Sequence, residues 1–211
     1  MPGATIRTPD GLRAGARRYP PPVEPMPDLP EEFRRIRPAL EGRLVRLRAV
    51  EDEDLPRLNG MLNDRDVTAG LRLVFPQPLV GIREWAASAR SGADALHLVV
   101  ETLERESIGE CGLRGLNDRN RSADLGIWIA RPYWGRGYGT DAVRTLCRFG
   151  FRHMNLQRIE LGVYETNPGA RRAYEKVGFV AEGTLRRAQF VGGRYVDEVL
   201  MGLLAEDLVE E

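Results

Sequence analysis

The chain has 211 residues, 42% of them hydrophobic, which suits one domain with a sizeable core and an attached tail. Its 31 Lys and Arg balance 31 Asp and Glu, so no basic surplus marks it as a nucleic-acid binder. No apolar run is long enough to span a bilayer, Met1-Pro-Gly-Ala-Thr-Ile6 does not read as a signal peptide, and Cys111, Cys147, His97 and His153 show no metal-ligand spacing.

Residues 1–38 read as a proline-rich arm. Tyr19 to Pro30 holds too many prolines for a helix or a sheet interior and favours extended polyproline conformation. It is either a solvated leader or an arm laid over the domain or a partner subunit. The domain proper, 39–211, should become ordered near Gly42. Leu44 to Val50 alternates apolar and basic residues as an edge strand does. Glu51-Asp-Glu-Asp54 places acids in the first turn of a helix reaching about Asn63, where they oppose the helix dipole. Thr68 to Val80, with Pro76 and Pro78, should be irregular, and Gly81 to Arg90 a short helix carrying Trp85. Leu96–Thr102 and Ser107–Gly115 read as a hairpin joined by a charged turn.

The stretch from Asp124 to Met154 organises the remainder of the chain. Asp124 to Ala130 is a short apolar and aromatic run, a buried strand by pattern. Gly135, Gly137 and Gly139 come next within five residues, and Ala142, Val143, Leu146, Cys147 and Phe149 to Phe151 then recur at helical spacing. Strand, glycine loop and helix start form a nest of backbone N–H groups suited to an anion such as a pyrophosphate. The loop is no P-loop, which would end in Gly-Lys-Ser/Thr where this one has Gly139-Thr140-Asp141, and its glycine spacing is not that of a dinucleotide fold. Beyond it come a strand (Arg158–Tyr164), a helix (Pro168–Val177) capped by Asn167 and ended by Gly178, and two strands around Gly192-Gly193. Three early strands, then β-α-β-α-β and a terminal strand, make a mixed α/β sheet. Cys111 and Cys147 sit in apolar runs and read as buried thiols in a cytoplasmic protein.

Trp134-Gly-Arg-Gly-Tyr-Gly139, followed by Asn167-Pro-Gly-Ala170 and Tyr174-Glu-Lys-Val-Gly-Phe179, resembles the GCN5-related N-acetyltransferase (GNAT) superfamily. The Tyr133-Trp134 form resembles its ribosomal-protein-alanine acetyltransferase (RimJ/RimL-like) branch. The resemblance covers roughly residues 42 to 204. It implies a central six- to seven-stranded mixed sheet flanked by about four helices, acetyl-CoA as cosubstrate without a metal, a homodimer, and neither nucleic acid nor membrane as partner. It also implies that the backbone from Trp134 through Gly135, Arg136, Gly137, Tyr138 and Gly139 to Thr140 holds the CoA pyrophosphate. Ile127, Trp128 and Ile129 would pair with the pantetheine arm like an added strand. Asn167 and Arg172 fall at positions near that arm and its phosphates, although Arg172 reads equally as a solvated helix charge.

Tyr174 matches the family's general acid, facing the departing sulfur; its bland alternative is a packed helix tyrosine. A phenol near pKa 10 and a thiol near 8.5 differ by about 1.5 units, so full proton transfer is uphill by about 2 kcal/mol and hydrogen bonding to the developing charge should dominate. For a base the candidates are Asp124, just ahead of the strand, and Glu110; either also reads as an ordinary strand-end carboxylate. An α-amine of pKa about 7.7–8.0 needs little base at pH 7, whereas a lysine-type amine near 10.4 costs roughly 4–5 kcal/mol to deprotonate. The expected reaction is therefore direct attack of a protein or peptide N-terminal α-amine on acetyl-CoA. The alternatives are a small amine such as a polyamine or antibiotic, or a non-catalytic CoA-binding regulatory module.

Overall fold

The apolar–basic alternation after Leu44 becomes β1 (Val45–Ala49), one edge of a seven-stranded sheet. The computed structural model describes residues 40–71, 73, 75–91 and 95–210, so the proline-rich arm lies outside the described residues. After β1 come α1 (Leu55–Leu62), the single turn α2 (Arg65–Thr68) and α3 (Leu79–Ser91). Then come β2 (Ala95–Thr102), β3 (Ser107–Asn117), β4 (Ser122–Ile129), α4 (Tyr138–His153), β5 (Arg158–Tyr164), α5 (Pro168–Glu175), β6 (Val180–Val191) and β7 (Arg194–Leu204). The strand order is β1-β2-β3-β4-β5-β7-β6, antiparallel throughout except for β4 beside β5. The mixed α/β fold read from the sequence is thus present, with five described helices.

Register assigns the two faces of the sheet. Leu125, Ile127 and Ile129 of β4 point towards the core shared with Val143, Leu146 and Cys147 of α4. Trp128 points the other way, against Leu55, Leu58 and Leu62 of α1 and Ile82 and Ala86 of α3. Cys111 and Cys147 are buried free thiols, both pushed up in pKa by burial. No described helix is long and apolar enough to cross a membrane.

The acids of residues 51–54 do more than face a dipole. Asp52–Asp54 form a 3-10 turn ahead of α1, and the Asp54 carboxylate is buried. It takes both ends of the Arg48 guanidinium at 2.7 Å, the Ser107 hydroxyl at 2.9 Å and the Glu51 N–H at 3.0 Å. Burial pushes its pKa up, but hydrogen bonds from Arg48 and the Glu51 N–H, then the Arg48 charge, outweigh it and leave the group below its ordinary value. A carboxyl lowered on folding contributes stability above the unfolded-state pKa and loses it as pH falls through the folded one. Thermal unfolding of Asp54→Asn should therefore sit below wild type at pH 7, with the gap closing as pH drops below about 4. A gap that stays constant to pH 2 would contradict the assignment.

Two ends differ from the expectation. Asp124 lies inside β4, not ahead of it, because pairing with β3 and β5 already begins at Ser122. α5 stops at Glu175; Gly178, at φ +113°, lies beyond two further turn residues, where a Cβ would run into the Asp207 backbone.

Candidate active site

β4 and β5 pair only from Ser122–Arg158 to Asp124–Glu160 and then part. On its other edge β4 stays joined to β3, and the Ala130 N–H donates to Ile108 at 2.8 Å. Alternation then turns the backbone groups of Leu125, Ile127 and Ile129 towards the opening. The Trp134 indole N–H donates to the Ile129 carbonyl at 2.6 Å, pinning the next loop to the strand end. The Ile127 amide and the Ile129 N–H thus face the gap where the strands part.

The gap is the floor of a cavity of about 750 Å³. Its far wall is the glycine loop. Gly135 at φ +74° and Gly137 at φ +87° hold conformations costly for a side chain, and Gly137 is the N-cap of α4. Tyr138, Gly139 and Thr140 form the first turn of α4, whose leading N–H groups have no partner within the helix. The opposite wall is α5, where Asn167 caps the helix by accepting from the Ala170 N–H at 3.1 Å. Arg172 and Lys176 stand at the rim, an electropositive exit suited to phosphates.

A second cavity, about 630 Å³, lies on the opposite face of the sheet. Ile127, Trp128, Gly162, Tyr164, Tyr174, Gly70 and Leu71 line both, so the two meet at the strand opening. Gly126 and Gly162 line the second cavity, and Gly112 lies beside Gly126 on β3. Gly126 and Gly162 each lie two residues beyond the last β4–β5 pair. Other groups fill the space that side chains would take: the Leu96 carbonyl, with His97 and Glu110 behind it, over Gly112, the Arg114 guanidinium over Gly126, the Glu198 carboxylate over Gly162. His97 Nδ1 and Glu110 are 2.8 Å apart, and the His97 ring meets Trp85 edge-on at 5.1 Å. Three carboxylates (Glu110, Asp124, Glu198) face one guanidinium, which makes this cavity the more anionic of the two.

The residues singled out in the sequence divide accordingly. Ile127, Trp128, Ile129, Trp134, Gly135, Gly137, Tyr138, Gly139, Thr140, Asn167 and Arg172 all line the first cavity. Arg136 does not; its guanidinium lies 5.8 Å over the Tyr133 ring. Tyr174 sits at the junction, buried against Phe179, and burial raises its pKa to about 12. Proton transfer to an ordinary thiolate would then be uphill by about 5 kcal/mol, which leaves hydrogen bonding as its contribution. Asp124 and Glu110 both line the second cavity, as does Leu73, while Val191, Gly192 and Arg194 of the β6–β7 hairpin line the first. Gly162, Tyr164 and Glu198, which also line the cavities, were not singled out in the sequence. A glycine inside the strand pattern 158–164 was the available signal of a close approach.

Residues 44–180 match the acetyltransferase (GNAT) domain family. A spermidine N(1)-acetyltransferase of Vibrio cholerae is 32% identical over 162 residues, covering 75% of this chain and 91% of that protein. A putative ribosomal N-acetyltransferase of Bacillus subtilis is 29% identical over 169 residues, 77% and 92% of the two chains. The crystal structure of the V. cholerae spermidine N-acetyltransferase with CoA and spermine superposes with a TM-score of 0.73 at 29% identity, over 77% of this chain and 96% of that one.

Proposed function

The chain belongs to the acetyltransferase (GNAT) domain family and is an acetyl-CoA-dependent N-acetyltransferase, and from that premise we propose that its acceptor is a small cationic primary amine of the polyamine class. The observation that carries this is the anionic second cavity opening onto the first between β4 and β5. Acetyl-CoA would lie in the first cavity, its pyrophosphate on the N–H groups of Tyr138 to Thr140 and its pantetheine along Ile127–Ile129. The thioester carbonyl would accept a hydrogen bond from the Ile127 or Ile129 N–H, which polarises it. The amine would come through the second cavity and attack from the opposite face, a geometry that keeps the two substrates apart until they meet at Tyr174. The likeness in both sequence and structure to the V. cholerae spermidine acetyltransferase supports this acceptor over the N-terminal α-amine expected from the sequence. Two free buried thiols fit a cytoplasmic location, which belongs to the same proposal.

Thiol release from acetyl-CoA tests the acceptor across spermidine, an aminoglycoside, alanine- and serine-starting peptides and lysine peptides. Spermidine should exceed every peptide by at least tenfold in kcat/KM, since a peptide N-terminus carries one charge into a site holding several carboxylates. Preference for an alanine- or serine-starting peptide would overturn the polyamine reading and restore the α-amine. Tyr174→Phe should lower kcat about tenfold, the loss of one hydrogen bond to a developing anion, with CoA affinity unchanged. Unchanged turnover would remove Tyr174 from the chemistry.

A further inference from the structure

We propose that Glu198 holds the acceptor nitrogen and takes its proton as the N-acetyl bond forms, an assignment that rests on the amine-acetyltransferase reading. Glu198 is 2% exposed, on β7 opposite Tyr164 of β5. Its Oε1 occupies the space of the missing Gly162 side chain, and Gly162, Tyr164 and Tyr174 line both cavities. The carboxylate is therefore set beside the junction. Of the other two acids, Glu110 pairs with His97 on β2, and Asp124 is exposed at the last residue paired before the strands part.

The position is built by the neighbouring strand. The β6–β7 register shifts between Leu185 and Gln189, where Arg187 adopts φ +51° and its N–H donates to Asp197 at 2.8 Å. That bulge brings the Gln189 amide over, and its Nε2 donates to Glu198 Oε2 at 2.7 Å. One oxygen is thus held by Gln189 while the other lies over Gly162.

The chemistry balances without a further reactant. An acceptor arriving as an ammonium ion pairs with Glu198 and releases one proton to water, so that the neutral nitrogen attacks. As its C–N bond to the acetyl carbon forms, the nitrogen becomes cationic and strongly acidic, and its proton passes to Glu198. The C–S bond breaks with its electron pair going to sulfur, which Tyr174 hydrogen-bonds. The proton on Glu198 returns through solvent to the thiolate, giving amide and thiol from amine and thioester.

Steady-state kinetics with the best amine, alongside CoA titration, test the assignment in two variants. Glu198→Gln should lower kcat about a hundredfold with CoA affinity within twofold of wild type. Glu198→Asp, which keeps the charge but withdraws it by one methylene, should recover at least tenfold of that loss. A Gln variant within threefold of wild type in kcat overturns the assignment. So do equal losses in both variants, or loss of CoA binding in both, because either makes Glu198 a structural carboxylate. If wild type acetylates no amine, the acetyltransferase reading of the site fails instead.

Discussion

Gly137→Asp is expected to weaken CoA binding by at least a hundredfold. Gly137 is the N-cap of α4 at φ +87°, next to the N–H groups proposed to cradle the pyrophosphate. An aspartate is a good N-cap residue, so its carboxylate would accept from those same N–H groups and compete for them directly. It would also repel the anion. Losing two charge-assisted hydrogen bonds at about 1.5 kcal/mol each gives about 3 kcal/mol, or about a hundredfold in Kd. Gly137→Ala separates charge from shape: it adds backbone strain of about 1 kcal/mol and a methyl 3.2 Å from Leu44 Cδ1, for a loss nearer tenfold. Calorimetric titration of both variants checks the order. An Asp variant binding CoA within threefold of wild type would place the pyrophosphate elsewhere.

Asp141→Ala is expected to lower stability by about 3 kcal/mol, the net of three lost bonds to a charged acceptor and partial rehydration of their donors. The Asp141 carboxylate is buried in the first turn of α4 and accepts from the N–H groups of Arg43 at 3.2 Å, Leu44 at 2.8 Å and Val45 at 3.1 Å. It ties the sheet edge to the helix across almost a hundred residues of chain. Gly42 is part of the same clamp, since a Cβ there would collide with Asp141 and Thr145. In a chain of this size the expected fall in Tm is roughly 10 °C, and Asp141→Asn, which keeps one carbonyl acceptor, should lose less. A Tm unchanged in the Ala variant would mean that the clamp contributes nothing. Because Leu44 also approaches Gly137, slackening this clamp should loosen the glycine loop and weaken CoA binding in the folded fraction.

Local pattern reached much of this architecture. The alternation at Val45–Ala49, the apolar run of β4 and the helical spacing from Ala142 to Gly150 are properties of neighbours in the chain, and each element formed where its pattern lay. The glycine loop was legible for the same reason, and the residues paired with its motif, Asn167 and Tyr174, line the same cavity as the loop. What escaped depends on register between distant strands. Asp54 read as a helix-dipole acid because nothing nearby announces Arg48 and Ser107 as its partners. Asp141 served only to exclude a P-loop, though it fastens α4 to β1. Glu198 gains its place from β7 lying beside β5 over a glycine, and the polar lining of the second cavity appears only when Gly126 and Gly162 both follow the last β4–β5 pair. Arg136 belongs to the loop through its backbone, and its guanidinium, which the motif says nothing about, lies over the Tyr133 ring.

The most direct measurement is a crystal structure with CoA and a polyamine bound together. The expected result is pantetheine density lying between β4 and β5, the pyrophosphate on the Tyr138–Thr140 turn, and the thiol within hydrogen-bond reach of the Tyr174 hydroxyl. The amine should lie on the opposite face, over Gly162 and beside Glu198. CoA bound away from that opening, or an amine entering from the same face as the cofactor, would contradict it.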